Sequence, residues 1–138
     1  MEKRFNIRVY GICIQANQVL INEEMIRGKK IIKFPGGGLE WGEGTIDCLK
    51  REWKEELGIA VTVTDHFYTT DFFQPSAFDS TQVISIYYLV EADLPLHIYN
   101  NLENERSFLL DIKDISEATF TLPIDKIVGG ILQKKYNR

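Results

Sequence analysis

The sequence predicts a mixed α/β layered domain, and three observations carry that expectation. β-like runs dominate the chain, while two segments show the three-to-four-residue apolar spacing of amphipathic helices. A length of 138 residues, 44% apolar and 26% charged, suits one core of ordinary size. A sheet with one helix for each face is the arrangement such elements allow. No internal repeat, charge block or Pro/Ser-rich linker interrupts the chain, so residues 1–138 are expected to form a single domain.

Along the first run, Phe5, Ile7 and Val9 alternate with polar residues. Ile12 and Ile14 beside Cys13 then make both faces apolar, which suits a strand entering the middle of a sheet. Asn17-Gln18 reads as a turn before a second strand around Val19–Ile21. A short strand at Ile31–Phe34 leads into Pro35-Gly36-Gly37-Gly38. Further strands are expected at Ala60–Thr64, Phe67–Phe73, Gln82–Val90 and Phe108–Ile112. Thr45–Leu57 reads as a helix closed by Gly58 as its C-terminal cap. A second helix starts near Pro123, a good first-turn residue, and should bury Ile124, Ile127, Val128, Ile131 and Leu132.

Charge and composition exclude several function classes. Sixteen Lys and Arg against twenty Asp and Glu give 16 − 20 = −4, so no basic excess exists to coat nucleic acid. Small phosphorylated ligands stay open, because a few local cations or a bound metal can serve them. The N-terminus carries charges where a signal peptide needs an apolar run, and Val83–Val90 is too short to span a bilayer. Cys13 and Cys48 lie far apart in no metal or redox spacing, and read as two buried thiols in a reducing cytosol. A cytoplasmic protein without nucleic-acid or membrane partners is the expectation.

Residues 35–59 carry the chemistry. On the predicted helix Ile46, Leu49, Trp53 and Leu57 form an apolar stripe, while Glu52, Glu55 and Glu56 share a neighbouring face. Cys48 lies on that carboxylate face, where a small side chain lets the glycine loop pack close. Three glutamates on a helix ordinarily mean a solvated face. Two physical arguments count against that here. Glu55 and Glu56 sit at the negative end of the helix dipole, each at a cost of about 0.3–1 kcal/mol. They also repel one another's neighbours one turn away, and Arg51 and Lys54 are expected to point elsewhere. Clustered carboxylates beside backbone carbonyls suit a hard divalent cation such as Mg²⁺.

The stretch resembles the motif of the Nudix hydrolases: glycine, five residues, Glu, seven residues, Arg-Glu, an apolar residue, any residue, Glu-Glu, any residue, Gly and an apolar residue. Gly37, Glu43, Arg51, Glu52, Trp53, Glu55, Glu56, Gly58 and Ile59 stand at those positions, with Pro35, Gly36, Glu40 and Gly42 also in keeping. Trp53 departs from the smaller aliphatic residue usual there, which implies altered packing rather than lost chemistry. The resemblance implies an α/β/α sandwich with a mixed sheet between helices. It also implies Mg²⁺-dependent cleavage, with Mn²⁺ able to substitute, of the diphosphate linkage in a nucleoside diphosphate derivative. ADP-ribose and nucleoside triphosphates are the leading small-molecule substrates on that reading, and a homodimer stays open. Residue by residue, Glu52, Glu55, Glu56 and the Gly37 carbonyl would bind metal. Arg51 and Glu43 would brace the loop against the helix. Glu52 is the first choice of general base, and Glu103 or Glu105 from a later loop are the alternatives.

Phe72–Ser80 borders the site with aromatics that can stack on a base, although packing explains them equally well. Pro75 falls sixteen residues after Ile59, close to a spacing that resembles the ADP-ribose pyrophosphatases of the family. Arg27, Lys29, Lys30 and Lys33 read mostly as surface cations, one of which could reach a phosphate. His66 and His97 read as structural or solvated. Two other classes compete with this reading: a non-catalytic nucleotide-binding module, which typically loses a motif glutamate, and a prenyl-diphosphate isomerase, whose further catalytic residues have no counterpart here.

Overall fold

The computed structural model describes residues 3–95 and 104–136. Its sheet has the strand order β3-β2-β1-β6-β5, with β4 added to β1 and β7 to β2. The strands are β1 (Phe5–Gln15), β2 (Gln18–Ile26), β3 (Lys29–Lys33), β4 (Gly36–Gly38), β5 (Thr62–Thr69), β6 (Gln82–Glu91) and β7 (Glu105–Asp111). Helix α1 spans Thr45–Leu57 and α2 spans Pro123–Tyr136. β1 and β6 run parallel while the other pairs are antiparallel, so the sheet is mixed as expected.

Period-two alternation on β1 divides the core. Val9 and Cys13 pack with Leu20, Leu49 and Trp53 on the α1 side. Tyr10 and Ile12 pack with Phe34, Tyr87, Val128 and Leu132 on the α2 side. Hydrogen bonding between β1 and β2 is confined to their hairpin end, at Ile14↔Val19 and Gln15↔Gln18. Beyond it β1 takes β4 as its neighbour, and β2 continues with β3 and β7.

Several boundaries differ from the sequence reading. The two runs expected at 60–64 and 67–73 are one strand, β5, with register shifts at Val63/Asp65 and His66/Tyr68. Phe72 and Phe73 fall beyond its end and are exposed. The glycine loop pairs with β1 as β4, because Arg8↔Gly38, Val9↔Gly37 and Tyr10↔Gly36 stand in register. That approach requires glycine: a Cβ on Gly36 would meet the Val9 carbonyl oxygen at 2.0 Å. The α1 stripe is narrower than predicted. Leu49 and Trp53 are buried together with Cys48, whereas Ile46 is exposed and Leu57 only half-buried. On α2, Ile124, Val128 and Leu132 are buried, with Ile127 and Ile131 half-covered. Two 3₁₀ turns, Ile112–Asp114 and Glu117–Thr119, link β7 to α2 and have no periodic signature to announce them.

Trp53 explains its own departure from the family pattern. Its indole N–H donates to the Pro35 carbonyl at 3.1 Å, the same oxygen that accepts from the Gly11 amide at 2.9 Å. Gly11 makes room for the ring, since a Cβ there would lie 2.9 Å from Trp53 Cζ2. Gly58 adopts φ 68° and donates to the Lys54 carbonyl, ending α1 in a left-handed cap as predicted. Both cysteines are free and buried.

Candidate functional site

The site forms where the last turns of α1 overlie β4. A Cβ on Gly37 would lie 2.4 Å from the Glu52 carboxyl carbon, so the bare glycine backbone is what seats that carboxylate. The Cys48 thiol donates to the Gly38 carbonyl at 3.5 Å and reaches the Gly37 carbonyl at 3.9 Å. The expected close packing of loop and helix at Cys48 is therefore present. Burial, then the charge of Glu43, raises this thiol to about 12, which keeps it unreactive.

Arg51 organises the carboxylates, contrary to the expectation that it points away from them. Its Nε and Nη2 grip Glu43 at 2.9 and 2.7 Å, while Nη1 donates to Glu52 at 2.9 Å and Glu55 at 3.2 Å. Nη2 also donates to the Gly38 carbonyl at 3.1 Å, which ties β4 to the helix. The i, i+4 geometry places Glu55 within its reach, and the flexible stem lets the guanidinium lean back over the loop. These bonds, followed by one from the Glu40 amide, hold the Glu43 carboxyl at about 2.

Glu56 has the opposite environment. Burial pushes its carboxyl up to about 8, and the charges of Glu105 and Glu52 push the same way, with Lys33 opposing them. Glu105 stands at the start of β7, where Asn22 Nδ2 donates to its Oε1 at 2.9 Å and to Ser107 Oγ at 3.2 Å. Asn22 is fully buried, and its Oδ1 has no partner among the described residues. The structure thus brings Glu56 near both Glu52 and Glu105, with Glu52 against Gly37. Glu55 lies at the rim, its side chain 59% exposed. Glu103 and His97 lie outside the described residues. His66 is exposed on β5 and bonds Thr69, remote in sequence and role from the carboxylates.

Among the described residues no three metal-type side chains converge into a ready cage. The donor set nonetheless fits a hard cation. Two crowded carboxylates beside a backbone carbonyl, one forced to keep its proton, form a site that a divalent charge would relieve.

On the other side of β4 lies a cavity of about 300 Å³, lined by Arg8, Tyr10, Lys33, Tyr87, Asp125 and the loop 74–79. Sequence reasoning missed most of this wall. Lys33, read as a surface cation, is 4% exposed and pairs with Glu24 at 2.9 Å. Burial lowers its ammonium, but Tyr10 and Glu24 outweigh that and leave it raised. Asp125 is buried at the start of α2 and accepts from the Tyr87 hydroxyl at 2.5 Å. Burial raises this carboxyl to about 6 against the pull of that bond. Even spacing on β1, at Asn6, Arg8 and Tyr10, was the available signal for one wall of the cavity. Of the loop predicted to border the site, Pro75 and Phe78 line the cavity, while Phe73 lines a separate hollow with Phe5.

A mixed sheet between helices, with a glycine strand under a glutamate-bearing helix, is the layout expected of a Nudix domain. The family model of the NUDIX domain matches residues 4–128, and the chain belongs to that family, the Nudix pyrophosphohydrolases. A NUDIX hydrolase from Nitrosomonas europaea is similar in structure, at TM-score 0.75 and 21% identity, over 98% of this chain and 92% of that one. The MutT protein from Methanosarcina mazei Go1 is similar at TM-score 0.76 and 19% identity, over 100% and 99%. The MutT NUDIX hydrolase from Burkholderia pseudomallei is similar at TM-score 0.73 and 15% identity, over 94% and 98%. Such identities speak for the shared fold alone. No curated protein matches the sequence. No helix among the described residues is long and apolar enough to cross a membrane.

Proposed function

We propose that the protein hydrolyses the diphosphate linkage of a nucleoside diphosphate derivative with Mg²⁺, for which Mn²⁺ can substitute. The observation that carries this reading is the Glu52 carboxylate seated on bare Gly37 with the half-buried Glu56 carboxyl beside it. Glu52, Glu55, Glu56 and the Gly37 carbonyl would hold the ion. When bound, it neutralises the diphosphate and acidifies a water. Glu52 takes the proton as water oxygen bonds to phosphorus and the bridging P–O bond breaks, releasing a nucleoside monophosphate and a second phosphorylated product. Arg51 acts through Glu52, fixing its Oε1 at 2.9 Å and leaning the glycine strand against the helix. The cavity across β4 takes the nucleoside end.

ADP-ribose and nucleoside triphosphates are the first substrates to test, ADP-ribose because Pro75 lines the cavity. Residence in a reducing cytosol is proposed on the two free thiols. Homodimerisation is proposed on the family resemblance alone. A release assay over ADP-ribose, nucleoside triphosphates, oxidised nucleotides, dinucleoside polyphosphates and nucleotide sugars, with and without chelator, tests the reading. Turnover of at least one class that stops on chelation supports it. Activity indifferent to chelation, or none on any class, overturns it.

A further inference from the structure

Two cations face the cavity with donors to spare. Arg8 uses one of its five N–H groups, with Nε donating to Tyr10 Oη at 3.0 Å. Neither terminal nitrogen has an acceptor among the described residues, although the side chain is half-buried. Among the described residues the Lys33 ammonium pairs with Glu24 alone. The two side chains lie close enough to feel one another's charge, a repulsion that the nearby carboxylates Glu24, Glu52 and Asp125 offset. Glu24 pairs directly with Lys33, whereas among the described residues no carboxylate oxygen hydrogen-bonds the Arg8 guanidinium. Arg8 also stands directly across β4 from the carboxylates. A Cβ on Gly38 would lie 3.5 Å from Arg8 Nη1, whereas one on its neighbour Gly37 would strike Glu52. Successive glycines therefore separate a guanidinium on one face from a carboxylate on the other by a single backbone.

We infer that Arg8, with Lys33 beside it, anchors a second phosphoryl group of the substrate on the cavity side of β4. The fork of free N–H groups matches phosphate oxygens in pairs, a geometry an ammonium cannot reproduce. A diphosphate then straddles the glycine strand, with one phosphoryl toward Glu52 and the other on Arg8. The inference rests on the pyrophosphohydrolase reading and adds a preference to it: ligands with two linked phosphoryl groups bind better than monophosphates.

The test is calorimetric titration with inorganic pyrophosphate and, separately, orthophosphate, at low salt, in chelator and again in excess Mg²⁺. Arg8→Gln should weaken pyrophosphate at least tenfold, and Arg8→Lys should recover part of the loss. Arg4→Gln, which removes one positive charge from the neighbouring hollow lined by Arg4, should change it less than twofold. Should Arg8→Gln fold poorly by thermal melt, Arg8→Lys carries the test, with a loss of at least threefold expected. Equal losses in the Arg8 and Arg4 variants, or no pyrophosphate binding by the parent protein in either condition, would overturn the anchor. Hydrolysis with an unchanged KM in Arg8→Gln overturns the anchor and leaves the proposed function standing. Loss of pyrophosphate binding in a protein that hydrolyses nothing keeps the anchor and overturns the function.

Discussion

Glu56→Gln should make the metal-free protein more stable. A carboxyl that titrates at about 8 in the fold and at 4.5 ordinarily holds a proton that the unfolded chain has released. Stability therefore falls as pH rises from 4.5 toward 8, and the loss is absent below 4.5, where both states are protonated. Between 4.5 and pH 7, at about 1.4 kcal/mol per pH unit, the ceiling on this cost is about 3.5 kcal/mol. Partial solvent access at Glu56 and reorientation of the carboxyl reduce it to about 1–2 kcal/mol. Gln keeps a donor toward Glu52 and removes the charge. In a domain of this size the gain corresponds to roughly 3–8 °C in Tm at pH 7. With saturating Mg²⁺ the order should reverse, because wild type gains more binding free energy from the ion. Melts of both proteins from pH 4 to 8.5, in chelator and in excess Mg²⁺, measure every term. A mutant no more stable than wild type in chelator at pH 7, or a gap that persists unchanged at pH 4, would refute the reasoning.

Glu52→Gln should lower kcat by roughly 10²–10⁴-fold, more than Glu105→Gln, since only Glu52 is seated on Gly37. A larger loss at Glu105 with metal affinity preserved would move the base there. Glu43 has the opposite linkage to Glu56: its pairing with Arg51 stabilises above pH 4.5, and that contribution is lost as pH falls toward 2. Glu43→Gln should accordingly flatten the acid limb of the stability profile and leave the neutral limb alone, as melts between pH 2 and 6 would show. Gly11→Ala should cost about 1–3 kcal/mol by overpacking the Trp53 ring, and Trp53→Leu about 2–4 kcal/mol. The double variant should lose less than the sum in denaturant titrations, since each change vacates or fills the other's space.

The parts of the fold that were legible have strong local signals. The α1 bounds follow from a stripe and a left-handed glycine, and the mixed sheet follows from alternating runs. The carboxylate face was legible because helical spacing alone puts Glu52 next to Glu56. Arg51 misled because its direction depends on where Glu43 lies after the loop folds back, which no helical wheel contains. Lys33 misled, and Asp125 went unnoticed, for a related reason. Each is charged and reads as surface, yet each is buried by pairing with a residue distant in sequence or contributed by another strand: Glu24 for one, Tyr87 for the other. The Gly36–Gly38 strand was hidden by its composition, since glycine has the poorest strand propensity and pairs here only because β1 demands a bare neighbour.

The Pro35 carbonyl accepts from the Gly11 amide and from the Trp53 indole at once. One atom thereby ties the entrance of the glycine strand to the central strand and to the helix core. Opening this end of the strand means withdrawing a buried indole from its slot over Gly11. Such an event belongs with global unfolding rather than with loop breathing. Hydrogen exchange at the Gly11 amide and the Trp53 indole should then be among the slowest in the molecule. The seat beneath Glu52 is a rigid floor, and any motion that admits substrate must come from the walls around it.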